Sequence, residues 1–143
     1  MIKHLALKFK NLSKRNKTNV LIIHHRGGNG DLESIHQQHL RQGWAGIGYH
    51  YYIRKDGQIY GGRPQWAIGA HCTGHNSNSL GICLEGNFEK EKPSEEQLNS
   101  LKWLIEYLRK LFPIREVKGH RDYNPTACPG KYLYNWLSSQ TPG

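Results

Sequence analysis

The strongest constraint on the fold is one apolar, mostly β-branched run, Val20-Leu21-Ile22-Ile23, which stands between Asn19 and Gly27-Gly28. Such a run between turn-forming residues is typical of a strand that is buried in the middle of a sheet. The sequence therefore predicts a central strand here, and it places His24 and His25 where that strand ends.

Helical patterns alternate with further strand patterns along the chain. Asp31 suits a helix N-cap, and apolar residues at near-helical spacing follow it until Gly43, which predicts a first helix. Ser94 has the capping-box spacing with Gln97 and starts a long helix that Pro113 ends. The remaining predictions are strands over 49–53, 58–60, 79–85 and 114–118, a hairpin turn at 56–57, an irregular loop over 61–79 and a short helix to about 137.

This alternation predicts an α/β protein: a single domain with a central mixed β-sheet that is flanked by helices. A chain of 143 residues has the size of one domain. Residues 1–19 are basic and weakly patterned, so we expect a basic N-terminal arm or an edge strand of the same domain, with residues 20–143 forming the rest.

The formal net charge of +9 implies attraction to a polyanion, which leaves nucleic acid, an anionic membrane or a bacterial cell wall open. The basic residues are scattered rather than interleaved with aromatic ones, which argues against nucleic acid. No stretch has the ~20 apolar residues of a membrane span, so we expect no membrane insertion. The N-terminus lacks the apolar run of a signal peptide, so we expect a protein that is cytoplasmic on synthesis. We also expect a monomer.

The three cysteines do not form the even, dense pattern of a disulfide framework. Whether Cys72 and Cys83 pair stays open at this stage. Cys128 is a candidate metal ligand, because it follows His120 by 8 positions across a turn-rich segment. A loop of that length brings both side chains onto one cation, and a thiolate with imidazoles is the ligand set that zinc prefers.

A third ligand at the end of a distant strand would leave the fourth zinc position open, as catalytic zinc requires, and His24 stands at such an end. From spacing alone, the alternative of a turn histidine and a buried thiol is as common.

Six ordered motifs resolve this ambiguity. Together they resemble the zinc amidases of the phage-lysozyme and peptidoglycan-recognition-protein type, from about residue 20 to 137. The motifs are Leu21-Ile22-Ile23-His24-His25, Gly43-Trp44 with Ile47-Gly48-Tyr49-His50, Gly57 with Ile59-Tyr60 and Gly62-Arg63, Ile68-Gly69-Ala70-His71, Asn78-Ser79-Leu80-Gly81-Ile82, and Gly119-His120-Arg121-Asp122 with Thr126 and Cys128-Pro129-Gly130.

The resemblance implies a hydrolase that cleaves the amide bond between N-acetylmuramic acid and L-alanine in bacterial peptidoglycan. Peptidoglycan is then both the substrate and the expected binding partner. It also implies one zinc ion per chain, with His24, His120 and Cys128 as ligands. By position, the catalytic tyrosine of the family falls on Tyr49. Thr126 stands two residues before Cys128, where family members carry either a lysine or a threonine, and is the second expected catalytic residue.

Other residues receive less specific roles. His25 is left out of the ligand set. Related intracellular recycling amidases carry a glutamate where this chain has Cys83 and an aspartate where it has Cys128, so the chain is similar to the lysozyme-type branch. Glu85 is an alternative base that we do not favour.

The resemblance also implies substrate contacts for His71 and Arg63. Trp44 is expected to pack in the core rather than to stack on a sugar.

Two functions remain after these inferences. The first is a phage-endolysin-like cell-wall lytic enzyme that reaches the wall after release by a holin, by lysis or by non-classical secretion. The alternative is a non-catalytic peptidoglycan-binding sensor with the same fold. The presence of Cys128 and Tyr49 favours the enzyme, because many peptidoglycan recognition proteins that only bind lack the cysteine.

Overall fold

The computed structural model describes residues 2–140, so residue 1 and residues 141–143 of the two predicted segments lie outside the described part of the chain. Its strands are β1 (Ile2–His4), β2 (Val20–His25), β3 (Tyr51–Ile53), β4 (Ile59–Gly61), β5 (Ser79–Leu84) and β6 (Glu116–Gly119). Its α-helices are α1 (Leu32–Arg41), α2 (Glu95–Leu111) and α3 (Lys131–Gln140), and short 3-10 turns cover Asn76–Asn78 and His120–Asp122.

The strands form one sheet in the order β1-β4-β3-β5-β2-β6. β2 pairs in parallel with both β5 and β6, whereas β3 and β4 form an antiparallel hairpin. The predicted mixed sheet is therefore confirmed, and β2 is the internal strand that the apolar run predicts. β1 lies at one edge, parallel to β4.

The two faces of the sheet are covered by different elements. Leu21 and Ile23 of β2 point into the larger core, which includes apolar residues of α2 and α3. Ile22 points to the other face, where α1 covers part of the sheet. Because side chains alternate along a strand, His24 shares the face of Ile22. The end of β2 therefore presents His24 on the side away from α2 and α3.

Both capping signals form as the sequence predicts. The Asp31 side chain accepts a hydrogen bond from the Ser34 backbone N–H at 2.9 Å. Ser94 and Gln97 form a complete capping box at the start of α2. Each cap satisfies backbone donors that have no partner inside the helix, which fixes where the helix begins. None of the helices within residues 2–140 has the length and apolar character needed to span a bilayer.

One predicted boundary is wrong in a way that matters for the site. The strand expected over 49–53 begins at Tyr51. Before it, the Gly48 carbonyl accepts a hydrogen bond from the Ala70 N–H at 3.1 Å, so the chain here pairs with the long loop. A Cβ atom on Gly48 would come within 1.9 Å of the Ala70 oxygen, so only glycine permits this approach. Tyr49 is consequently held between the loop and β3.

Candidate metal centre

The register of two neighbouring strands brings the first two candidate ligands together. Ile23 of β2 pairs with Gly119 of β6, and the next residues along these parallel strands are His24 and His120. Their ring centroids lie 4.6 Å apart. Parallel pairing of β2 with β6 thus brings together two histidines that are nearly one hundred positions apart in sequence.

Cys128 completes the group from the turn that follows β6. Its Sγ lies 3.6 Å from Nδ1 of His24, and one ligand atom each from His24, His120 and Cys128 can be chosen within 4.8 Å of one another. The turn is closed by a hydrogen bond from the Arg121 N–H to the Cys128 carbonyl at 3.0 Å. The backbone N–H of His25 also donates a hydrogen bond to this sulfur, with 3.4 Å between nitrogen and sulfur. The three predicted ligands are therefore brought together.

The spacing suits a tetrahedral zinc ion. A nitrogen about 2.1 Å and a sulfur about 2.3 Å from one ion, at a tetrahedral angle, lie about 3.6 Å apart. The observed distance between Nδ1 of His24 and Sγ of Cys128 is 3.6 Å. Burial raises the pKa of the Cys128 thiol to about 12. A cation at this position would therefore be needed to hold the group as a thiolate at neutral pH.

Each candidate histidine ligand has a partner on its outer nitrogen. Nε2 of His24 lies 2.9 Å from Nδ1 of His71, and Nε2 of His120 lies 2.9 Å from Oδ1 of Asn124. The Nδ1 atoms are thus the ones that remain for a metal. Sequence reasoning missed Asn124, whose position four residues after His120 in a turn is its only sequence signal.

Tyr49 borders the same group. Its ring centroid lies 4.9 Å from that of His24. Burial raises the pKa of its hydroxyl well above the ordinary value, and the neighbouring thiols of Cys83 and Cys128 add to this effect. The phenol therefore keeps its proton at neutral pH, and its hydroxyl is hydrogen-bonded to the Cys83 thiol beside the candidate ligands.

The other predicted site residues lie in different surroundings. Thr126 is exposed, and its Oγ1 accepts a hydrogen bond from the Cys128 N–H at 3.2 Å. Arg63 is buried, and its guanidinium donates to the carbonyls of Ile47, Ile68 and Gly46 at 2.9, 3.0 and 3.1 Å. A substrate carboxylate would have to compete with these carbonyls. The substrate contact of Arg63 stays a prediction.

His71 is also buried, at 8% exposure, and touches His24 rather than an open surface. Its predicted contact with substrate is untested, like that of Arg63. Trp44, expected in the core, is instead 40% exposed and rests on the His39 ring at 4.4 Å between centroids. The expectation for Trp44 is wrong because Trp44 lies beyond the end of α1, after Gly43 with its φ of 88°, and so does not belong to the buried face of that helix.

His25 and Glu85, which are not among the predicted site residues, have other partners. His25 faces the opposite side of the sheet, where its Nδ1 accepts from the Phe88 N–H at 3.1 Å. Glu85 forms an ion pair with Arg54 at 3.1 Å and accepts hydrogen bonds from the backbone N–H groups of Gly30 and Lys55. A carboxylate so fully engaged is stabilised in place and is poorly suited to act as a mobile base.

All three cysteines are free, which answers the question of a pair between Cys72 and Cys83. Cys72 and Cys83 are buried, and Cys128 is half-buried.

Several buried histidines serve as neutral structural groups around the centre. Nδ1 of His39 accepts from the Gly48 N–H at 2.9 Å, and Nδ1 of His50 accepts from the Gly81 N–H at 3.0 Å. Burial lowers the pKa of His39 to about 4 and that of His50 to about 3. Protonation at Nδ1 would set two donors against each other, so both rings are required in the neutral form.

We therefore expect the free energy of unfolding to fall as the pH is lowered from 6.5 to 4. The unfolded histidines bind protons near their ordinary pKa of 6.5, whereas the folded ones stay neutral until about 4 or 3. The stability that each ring contributes is complete above pH 6.5, and about 3 kcal/mol of it is lost per ring by pH 4. Urea unfolding of chelator-treated protein at several pH values measures this slope.

The matched variant for that experiment is His39→Gln, which removes one titrating group. It is expected to reduce the slope by about 1.4 kcal/mol per pH unit. A free energy of unfolding that does not vary between pH 7 and pH 4 would contradict the neutral, buried state of these rings.

The chain is similar to known proteins of one family. Residues 14–131 match the family model described as N-acetylmuramoyl-L-alanine amidase. The endolysin of Enterobacteria phage K11 is 33% identical over 136 residues, which cover 89% of this chain and 90% of that protein.

Two solved structures are similar along nearly the whole chain. N-acetylmuramoyl-L-alanine amidase LysC from Clostridium intestinale URNW has a TM-score of 0.93 and 37% identity, covering 98% of this chain and 96% of that one. Wild-type PGRP-LB of Drosophila has a TM-score of 0.91 and 30% identity, covering 98% of this chain and 94% of that one.

Proposed function

The chain belongs to the N-acetylmuramoyl-L-alanine amidase family, and we propose that its phage-endolysin-like cell-wall amidase activity depends on one zinc ion held by His24, His120 and Cys128. The observation that carries the proposal is the convergence of these three side chains, within 4.8 Å of one another, beside the Tyr49 ring. The bond cleaved is the amide between the lactyl carbonyl of N-acetylmuramic acid and the nitrogen of L-alanine.

The donor set of two neutral imidazoles and one thiolate fits zinc and leaves a fourth position for water or substrate. When bound, zinc supplies Lewis-acid polarisation and lowers the pKa of a water molecule to near 7. The side chains and backbone around the ion set its charge and hold its ligands. Cys128 brings negative charge to the ion, and the His25 N–H, 3.4 Å from the sulfur, stabilises that charge. His24 and His120 act as neutral ligands, since burial lowers the pKa of both.

Tyr49 is the donor that we assign to the developing oxyanion. During attack by water, the lactyl carbonyl oxygen gains negative charge, and a donor that is already in place stabilises it without reorganisation. The Tyr49 hydroxyl keeps its proton because burial raises its pKa, so it has a proton to donate to the oxyanion. Thr126 is exposed on the turn that carries Cys128, and we assign it a second, weaker contact with the same intermediate.

The substrate is bacterial peptidoglycan, and the net charge of +9 supports attraction to its anionic surroundings. The predicted substrate contacts of Arg63 and His71 remain part of this proposal, and both side chains are buried. We propose that the protein acts as a monomer on the cell wall after its release from the cytoplasm.

A peptidoglycan-binding sensor is the alternative function. Both types are represented among the similar proteins, but the match to the K11 endolysin extends over about nine tenths of each chain. The complete ligand group also favours catalysis, since a protein that only binds has no use for an open metal position.

The direct test is product analysis after digestion of purified peptidoglycan. We expect new amino termini on L-alanine and no new reducing sugar ends, with loss of activity on chelation and recovery on addition of Zn²⁺. New reducing ends would indicate a glycosidase, and new termini on other residues of the stem would indicate an endopeptidase. Binding to peptidoglycan without any release would favour the sensor.

A further inference from the structure

His71 forms part of a hydrogen-bonded chain whose direction can be read from its far end. The Ser79 hydroxyl donates to the His75 carbonyl at 2.6 Å. A hydroxyl has one proton, so toward Nε2 of His71, at 3.3 Å, Ser79 acts as the acceptor. Nε2 of His71 therefore carries a proton.

The same reasoning extends to the metal centre. His71 is buried, and the hydrogen-bond partners of its ring are His24 and Ser79 rather than a carboxylate, so the ring is neutral and its Nδ1 is an acceptor. Nε2 of His24, at 2.9 Å from that Nδ1, must then be the donor. A neutral His24 with its proton on Nε2 has its lone pair on Nδ1, which is the atom that faces the Cys128 sulfur.

The tautomer of His120 is fixed by a second, independent set of hydrogen bonds. The amide of Asn124 donates through Nδ2 to the carbonyls of Thr73 and Tyr123 at 3.2 and 3.0 Å, so its Oδ1 points at the ring. Oδ1 lies 2.9 Å from Nε2 of His120 and accepts its proton. The lone pair of His120 is again on Nδ1.

The His71 ring has little freedom to leave its place. A Cβ atom on Gly81 would come within 2.6 Å of the ring, and one on Gly69 within 2.7 Å. Two glycines from different segments, β5 and the long loop, thus form a slot around it. The slot holds the ring edge-on to His24, with 5.0 Å between centroids and 88° between planes.

We propose that His71 and Asn124 are positioning residues that fix the tautomers of His24 and His120, so that both imidazoles present Nδ1 to the metal. The proposal rests on the metal site described above and gives His71 a role different from substrate contact. Outer partners of this kind orient a ligand and raise its basicity, and their removal lowers metal affinity about 10- to 100-fold.

The first measurement needs no substitution. Ring ¹⁵N chemical shifts of the zinc-free wild-type protein report which nitrogen of each histidine carries the proton. We expect the proton of His24 and of His120 on Nε2 before any metal is added. A proton on Nδ1 of His24 in this protein would overturn the proposal, whether or not the protein has amidase activity.

The second measurement is zinc affinity by competition with a chelator. His71→Phe keeps an aromatic ring in the slot but removes the acceptor, and we expect a 10- to 100-fold higher Kd for zinc with mixed tautomers of His24. His4→Phe, on the exposed face of β1, is the matched control. If His71→Phe binds zinc as the wild type does and changes only KM for a muropeptide, His71 contacts substrate and the proposal fails.

Asn124 provides a pair of variants that does not depend on the slot. Asn124→Leu removes the acceptor for His120 and should weaken zinc binding, whereas Asn124→Asp keeps an acceptor oxygen and should restore most of it. Equal zinc affinity in both variants would overturn the role of Asn124. Because these readouts are affinity and tautomer, they are separate from the product analysis that tests the activity.

Discussion

Replacing Cys128 by alanine is expected to remove stoichiometric zinc and to lower kcat/KM about a thousandfold or more. The thiolate is the only anionic ligand of the three, and without it two neutral imidazoles remain, one of them from a turn. Loss of a Lewis acid worth several kcal/mol corresponds to at least three orders of magnitude in rate. Zinc content by elemental analysis and release of L-alanine amino termini measure the two effects on the same sample.

Cys128→Asp is the matched variant for this experiment, because a carboxylate also binds zinc and also carries negative charge. It is expected to retain zinc and part of the activity, which separates ligation from any general effect of changing the turn. Full activity of Cys128→Ala without zinc would contradict the metal site as a whole. Unfolding midpoints of both zinc-free variants should match that of the zinc-free wild type.

Replacing Tyr49 by phenylalanine is expected to lower kcat about 100- to 1000-fold while zinc content and KM stay close to those of the wild type. The substitution removes one hydroxyl that already carries its proton, and a single oxyanion donor contributes about that factor. The ring, 4.9 Å from His24, is kept, so the packing of the ligand is preserved. Steady-state kinetics on a soluble muropeptide separate kcat from KM.

Tyr107→Phe is the control for Tyr49, because Tyr107 lies on α2, on the far side of the sheet, and is 37% exposed. The control should behave like the wild type. A Tyr49→Phe protein with unchanged kcat would remove the hydroxyl from the mechanism and shift the donor role to Thr126. A loss of zinc in Tyr49→Phe would instead show that the ring supports the ligand group.

Much of the fold was accessible from sequence because its signals are local. The apolar run at 20–23 and the caps at Asp31 and Ser94 each depend on a few neighbouring residues, and each appears where predicted. The start of β3 could not be predicted from sequence, because the Gly48 carbonyl accepts a hydrogen bond from the N–H of Ala70, more than twenty positions later. Backbone pairing with a loop leaves no periodic signal.

The candidate site divides in the same way. The residues of the metal group occur in motifs whose order is specific, so resemblance selects them. The residues that hydrogen-bond to these ligands do not occur in such motifs. Contact between His71 and His24 depends on the slot between Gly69 and Gly81, and Arg63 is held by three carbonyls of a folded loop. These are properties of loop conformation, which spacing does not encode.

The pairing of β2 with β6 also bears on when the protein can become active during its synthesis. β2 is synthesised before β6 and the turn with Cys128, so a nascent chain that contains only the first strands has no complete ligand group. Contacts of such high sequence separation form late and slowly, because the long intervening loop must be closed first. A metal centre whose ligands come from both strands therefore cannot act before β2 and β6 have paired.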